Sequence, residues 1–122
     1  MSGRPIKPLE WYRETYIRDG YRCVYCGRDL TERFDDWMSI EVDHIIPVSK
    51  GGNDNLENRV TTCSVCNRLK GIYLPEDYQS LKRDQMLENI RQHILNKREE
   101  WKDRYDLAMK EFQASAGLNK DS

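Results

Sequence analysis

The spacing of apolar residues divides the chain into a few helices and strands. Apolar positions three and four residues apart indicate helices, and alternating apolar and polar positions indicate strands. We predict helices over residues 9–19, 64–70 and about 84–114, and strands over residues 37–46 and 59–62. Gly20 and Gly71 stand where the C-terminal caps of the first two helices are expected. The pattern therefore predicts a small α+β fold with a short N-terminal helix and a long C-terminal helix.

The long C-terminal helix carries an apolar stripe. Leu87, Ile90, Ile94, Trp101 and Tyr105 recur at spacings of three, four or seven residues, which is typical of an amphipathic helix. At 1.5 Å per residue the segment is about 45 Å long. A polar run between Ile94 and Trp101 interrupts the stripe, so the segment forms one helix, a bent helix or two shorter helices. We expect the stripe to pack on the chain's own domain, and the alternative is pairing with a second copy.

Composition limits the class of protein. The 122 residues are enough for one domain with a modest core, and 38% are hydrophobic while 34% are charged. No apolar run is long enough to span a bilayer, and the N-terminus lacks the apolar core of a signal peptide, so we expect a cytoplasmic protein. A net charge of −1 argues against a generic polycation that coats nucleic acid. Basic residues near the second cysteine pair still allow a nucleic-acid partner.

Four cysteines form two CxxC pairs, Cys23 with Cys26 and Cys63 with Cys66. Two disulfides, a redox pair and a metal site are the three possible uses of such a set. The absence of a secretion signal argues against disulfides, and two pairs each followed by Gly or Asn favour zinc. Four sulfur ligands leave no open position for water, so we predict a structural Zn²⁺ ion and not a catalytic one.

An acid–imidazole pair, Asp43 and His44, lies between the two cysteine pairs. It is followed by a glycine-rich loop, then Asn58, and Asn67 comes directly after the last cysteine. This ordered set resembles the HNH endonuclease family over roughly residues 19–71. The resemblance implies a ββα-metal (His-Me finger) core of two antiparallel strands and a helix around one catalytic divalent ion, often supported by a zinc knuckle.

The resemblance also implies a role for each of these residues. His44 matches the general base, and Asp43 and Asn67 match the residues that hold the catalytic Mg²⁺ or Mn²⁺ ion. Asn58 matches the residue that orients the loop around the base without binding the metal. Because adjacent strand residues point to opposite faces, Asp43 and His44 serve one site only if the strand twists there.

Other polar and aromatic residues have less specific interpretations. Arg59, Arg68 and Lys70 are candidate phosphate contacts or solvated basic residues, and we favour Arg68 for the contact. Glu41 is either a supporting acid of the metal site or an ordinary strand-edge acid. We assign His93 no role. The tryptophans are expected to be core anchors; they are Trp11, Trp37 and Trp101.

These expectations define a function and a domain plan. We predict a metal-dependent DNA endonuclease that acts on double-stranded DNA. The resemblance also allows that a phage or a mobile element encodes the chain. The alternatives are an inactive zinc-knuckle module that binds nucleic acid or protein, and an interaction protein built on the long helix. A monomer should nick, and a homodimer through the C-terminal helix should make double-strand breaks. The plan is a flexible arm (1–8), an HNH domain (9–75), a helical extension (76–116) and a frayed tail (117–122).

Overall fold

The computed structural model describes residues 12–117 with their side chains and residues 118–120 as helical backbone. Short helices and a long one surround a two-stranded ribbon. The elements in chain order are α1 (Arg13–Arg18), α2 (Phe34–Met38), β1 (Ile40–His44), β2 (Arg59–Cys63), α3 (Ser64–Lys70) and α4 (Arg83–Lys120). Short 3₁₀ turns cover Val48–Lys50, Leu56–Asn58 and Tyr78–Ser80. The predicted small α+β class is confirmed.

The centre of the fold is a ββα unit. β1 and β2 pair antiparallel, with Ile40 opposite Cys63 and His44 opposite Arg59. α3 begins at Ser64, directly after β2, and the Cys63 side chain caps it by accepting a hydrogen bond from the Cys66 N–H. α3 packs against both strands. The end of one strand and the start of one helix are therefore fixed by the same cysteine.

The first cysteine pair lies in a tight turn, residues 23–27, that packs against this unit. We call this segment the cysteine turn. Gly27 adopts φ 78°, a backbone conformation that side-chain-bearing residues rarely take. Its N–H donates to the Cys23 carbonyl at 2.8 Å, which closes the turn. The N–H of Val24 then donates to the carbonyl of Thr61 on β2 at 3.0 Å. These bonds bring the first cysteine pair beside the second.

The apolar core lies between the cysteine turn, the ribbon and the first three turns of α4. Its buried members include Tyr25, Leu30, Ile45, Val60, Met86, Leu87, Ile90 and Ile94. Arg91 fastens α4 to the cysteine turn, since its guanidinium donates to the carbonyls of Val24 at 2.7 Å and Tyr25 at 3.2 Å. The first three turns of α4 thus close the core from one side.

Only the first part of the predicted apolar stripe packs on the domain. Leu87, Ile90 and Ile94 are buried, as expected, whereas Trp101 and Tyr105 are 55% and 56% exposed. The prediction that Trp101 anchors the core is therefore wrong, and the preference for packing the whole stripe on the domain holds only as far as Ile94. α4 is continuous through the polar run, so it is one helix.

Some predicted boundaries differ from the observed ones. Residues 37 and 38 belong to α2 and not to the strand, because Asp35 and Asp36 in its first turn favour a helix N-terminus. The strand ends at His44. α4 continues to Lys120, past its predicted end at residue 114 and into the segment predicted to fray.

Other predicted features lie partly or wholly outside the described residues. α1 spans Arg13–Arg18 within the predicted 9–19 helix. The predicted arm, residues 9–11 (Trp11 among them) and residues 121–122 lie outside the described residues. Within the described residues, none of the helices is both long enough and apolar enough to cross a membrane.

Candidate active site and zinc centre

Four cysteine side chains converge beside the ribbon. The sulfur atoms of Cys23, Cys26, Cys63 and Cys66 all lie within 4.8 Å of one another. Cys26 Sγ is 3.9 Å from Cys63 Sγ. A tetrahedral ion with Zn–S bonds of about 2.3 Å places its sulfur ligands about 3.8 Å apart, whereas a disulfide needs about 2.05 Å. The cluster therefore fits the predicted structural zinc ion.

The surroundings of the cluster suit thiolate ligands. The N–H groups of Cys26 and Cys66 point at the sulfurs of Cys23 and Cys63, at 3.5 and 3.4 Å. Arg98 of α4 donates to Cys66 Sγ at 3.8 Å and supplies a positive charge. Burial raises the pKa of the metal-free Cys26 thiol to about 11. Zinc would have to replace that proton, as it does in structural sites generally.

Asp43 lies in a buried polar network between β1 and α3. Its carboxylate accepts a hydrogen bond from the Tyr25 hydroxyl at 2.7 Å, and Lys70 Nζ lies 3.2 Å from each carboxylate oxygen. Lys70 also donates to the carbonyl of His44 at 3.1 Å. Burial raises the pKa of Asp43 and lowers that of Lys70, and each charge opposes the shift of the other. Asp43 is thus held by a phenol and an ammonium group.

The amide of Asn67 is held by a carboxylate. Asn67 Nδ2 donates to Glu41 Oε1 at 2.7 Å, which points the amide oxygen of Asn67 away from Glu41. Glu41 lies two residues before Asp43 on the same face of β1. Asn67 and Lys70 are three residues apart on α3. The facing sides of β1 and α3 therefore pair two acids with an amide and an amine.

His44 has its side-chain partner in the loop that follows β1. His44 Nε2 lies 2.7 Å from Asp54 Oδ1, and the imidazole is 24% exposed. Asp54 also approaches Arg59, 3.6 Å from its Nε. Asp43 and His44 therefore bond to different elements, the first to α3 and the cysteine turn, the second to the loop.

Asn58 braces the same loop. Its Oδ1 accepts from the Ile46 N–H at 2.9 Å, and its Nδ2 donates to the carbonyls of Ile46 at 3.0 Å and Asn53 at 2.7 Å. Gly52 completes this close packing, because a Cβ at that position would collide with the Ile46 carbonyl. Asn58 thus ties together the two ends of the segment that carries Asp54.

The three candidate phosphate contacts have different environments. Arg68 is exposed on α3. Arg59 is engaged within the domain, donating to the Asp54 carbonyl at 3.0 Å and lying over the Tyr12 ring. Lys70, expected to be a phosphate contact or a solvated residue, instead has a fully buried side chain and faces Asp43. The structure leaves Arg68 as the most accessible of the three.

Comparison with protein families identifies the ββα unit. Residues 23–71 match the family model described as HNH endonuclease. That span contains both cysteine pairs, β1, β2 and α3. The chain carries an HNH endonuclease domain. The predicted resemblance is therefore confirmed, and Asp43, His44, Asn58 and Asn67 all lie within the matched HNH residues.

Two larger proteins are similar to part of this chain. The CRISPR-associated endonuclease Cas9 of Corynebacterium diphtheriae is 32% identical over 72 residues, and Cas9 1 of Streptococcus thermophilus is 35% identical over 66 residues. The alignments cover 58% and 52% of this chain. The chain spans only 6% of the length of each relative. The likeness is therefore confined to a domain-sized piece of those proteins.

Sequence reasoning missed three partners in the HNH domain. Tyr25 and Lys70 hold Asp43, and Asp54 holds His44. The signal for Lys70 was its position one helical turn after Asn67, which places both side chains toward β1. No comparable signal marks Tyr25, because its proximity to Asp43 depends on how the cysteine turn folds back on the ribbon.

Proposed function

We propose that this chain is a metal-dependent DNA endonuclease that hydrolyses phosphodiester bonds with His44 as the general base. The observation that supports this most directly is the 2.7 Å contact between His44 Nε2 and Asp54 Oδ1 inside an HNH domain. A base must be oriented by a third group to act on a defined water molecule.

The same contact supports Nδ1 of His44 as the nitrogen that would take the proton. An ionised carboxylate only accepts hydrogen bonds, so His44 Nε2 carries the proton that is shared with Asp54. The lone pair of Nδ1 is then available to water, which reaches the partly exposed imidazole. His44 would remove a proton from that water as it attacks phosphorus.

Asp43 and Asn67 are the residues we propose to hold Mg²⁺ or Mn²⁺. Both offer oxygen atoms, the donors that these hard cations prefer. The Asn67 amide oxygen is left free by the bond from its nitrogen to Glu41. A carboxylate has about four acceptor positions, and Tyr25 and Lys70 make three contacts to Asp43, which leaves one on Oδ1. When bound, the ion would stabilise charge on the scissile phosphate and on the leaving oxygen.

The residues that would meet the substrate lie beside these groups. Arg68 is exposed on α3, one position after Asn67, and can bind a DNA phosphate as its neighbour approaches the metal. We also propose an intracellular location, because metal-bound cysteines persist in reducing compartments.

A single HNH centre acts on one strand of DNA at a time, so the basic reaction that we propose is a nick.

A plasmid-nicking assay with Mg²⁺ or Mn²⁺ tests the proposal. His44→Ala should reduce nicking of supercoiled DNA by about 10²–10⁴-fold, the usual contribution of a general base. His93→Ala is the matched control, since His93 is the other histidine of the chain and lies on α4 outside the matched residues. It should nick like the wild type. If the wild type binds plasmid but leaves it intact with every divalent metal, the chain is the alternative, an inactive binding module.

A further inference from the structure

Beyond Ile94, α4 is largely exposed, although Arg98 still reaches the zinc centre by donating to Cys66 Sγ. From Leu95 to Ser115 every side chain is exposed except the half-buried Lys97 and Met109. Its large apolar residues include Trp101, Tyr105, Leu107 and Phe112, each more than half exposed. Helices in proteins gain most of their stability by packing an apolar face, and an exposed apolar patch marks an interaction site.

The apolar residues of this segment follow a coiled-coil spacing. Trp101, Tyr105, Ala108 and Phe112 are separated by four, three and four residues, which places them at successive d, a, d and a positions of a heptad repeat. Leu107 lies off this seam. The bulky residues Trp101 and Phe112 therefore lie at the two ends of the seam. Tyr105 and the small Ala108 lie at its centre.

The charges of the segment favour a partner with the same charge pattern. Residues 95–117 carry five basic and five acidic side chains. A neutral surface gains little from the phosphate charges of nucleic acid. Two copies of a neutral surface do not repel each other, so a second copy of this chain fits the segment better than DNA does.

We propose that two copies of this chain pair through residues 101–112 of α4 as an antiparallel coiled coil. In this register Trp101 lies opposite Phe112 of the second copy, and Tyr105 opposite Ala108 of the second copy. Each large residue of the centre thus meets a small one, the arrangement that fills a helix interface. The domains then stand at opposite ends of the shared coil.

The residues that flank the seam complement each other in the same register. Arg104 lies beside Glu111 of the second copy, and the pair occurs twice by symmetry. Within one chain the two residues are seven positions, or about 10 Å, apart and do not meet. In a parallel pair they would instead flank Met109 and Ala116. An Arg104–Glu111 interaction is therefore specific to the antiparallel dimer.

Sedimentation velocity of the zinc-loaded chain tests the proposal. The mass should rise with concentration from 14.5 kDa to twice that value. Tyr105→Glu should weaken dimerisation by at least about tenfold. Leu107→Glu is the matched control, because Leu107 is equally exposed but lies off the seam, and it should dimerise like the wild type.

A charge swap tests the direction of pairing. Arg104→Glu and Glu111→Arg should each weaken the dimer, since each places like charges side by side, and the double variant should restore it. A chain that stays monomeric up to its solubility limit overturns the proposal. So does a double variant as weak as the single ones, or a Leu107→Glu variant as weak as Tyr105→Glu. None of these readouts depends on nuclease activity.

Discussion

The buried pair of Lys70 and Asp43 leads to a prediction about stability. The Lys70 side chain is fully buried and that of Asp43 is 8% exposed. Lys70→Met keeps most of the aliphatic chain but leaves Asp43 with the Tyr25 hydroxyl as its one remaining side-chain partner among the described residues. Removing one member of a buried ion pair costs about 3–5 kcal/mol. At this burial, solvent screening does not reduce the figure to that of a surface pair. We therefore expect the free energy of unfolding to fall by about 3–5 kcal/mol.

A second substitution should recover most of that loss. Burial raises the pKa of Asp43 and lowers that of Lys70, so in both groups desolvation outweighs the attraction between the charges. The pair therefore contributes little net stability, although an unpaired member is costly. Asp43→Asn removes the uncompensated charge and keeps an acceptor for Tyr25. We expect the Asp43→Asn/Lys70→Met variant to regain about 2 kcal/mol or more over Lys70→Met alone.

Urea unfolding followed by circular dichroism, with zinc in excess, measures both effects. Lys82→Met is the matched control, since Lys82 is exposed just before α4, and it should unfold within about 0.5 kcal/mol of the wild type. The reasoning is refuted if Lys70→Met also stays within about 1 kcal/mol of the wild type, or if the losses of the two single substitutions simply add in the double variant.

Three further predictions concern the HNH domain and α4. Glu41→Gln keeps an acceptor for the Asn67 amide and should bind Mn²⁺ like the wild type, whereas Glu41→Leu should bind about 10–100-fold more weakly in a calorimetric titration; equal affinities would exclude an orienting role. Gly52→Ala should lower the free energy of unfolding by about 2–3 kcal/mol, because its Cβ meets backbone, while Gly117→Ala, with open space around it, should not; thermal unfolding compares them. Burial, then the positive charge of Lys97, lowers the pKa of His93 below 6.5, while the charge of Glu100 opposes the shift. Its contribution to stability is therefore present above pH 6.5 and lost as pH falls, and an NMR titration giving 6.5 or more contradicts this.

Motif spacing predicted the zinc centre and the order of the ββα unit. Two CxxC pairs constrain four sulfur atoms whatever the rest of the chain does, and a strand, a loop, a strand and a helix in that order leave few packing choices. The HNH family match confirms the unit. Patterns of this kind can be predicted from the sequence because they depend on residues that are close together along the chain.

The partners of the candidate catalytic residues depend on contacts across elements. Periodicity places Glu41 and Asp43 on one face of β1 and Asn67 and Lys70 on one face of α3. It does not say that these faces meet, and so it left Lys70 among the surface residues. The prediction that Trp101 is buried is wrong for a related reason. An apolar stripe continues along a helix and does not show where the domain that the helix packs on ends.

The zinc centre also bears on how much folded protein a cell would hold. Cys26 and Cys63, whose sulfurs are 3.9 Å apart, are separated by 37 positions in the sequence. A zinc ion held by both sulfurs would close a loop of this length, and because such a site rarely exists in the unfolded chain, its binding free energy becomes part of the folding free energy. Asp43, His44 and Asn58 all lie inside that loop. Zinc supply would thus set the number of folded molecules, while the proposed rate of cleavage would depend on these residues and on Asn67, which follows the loop.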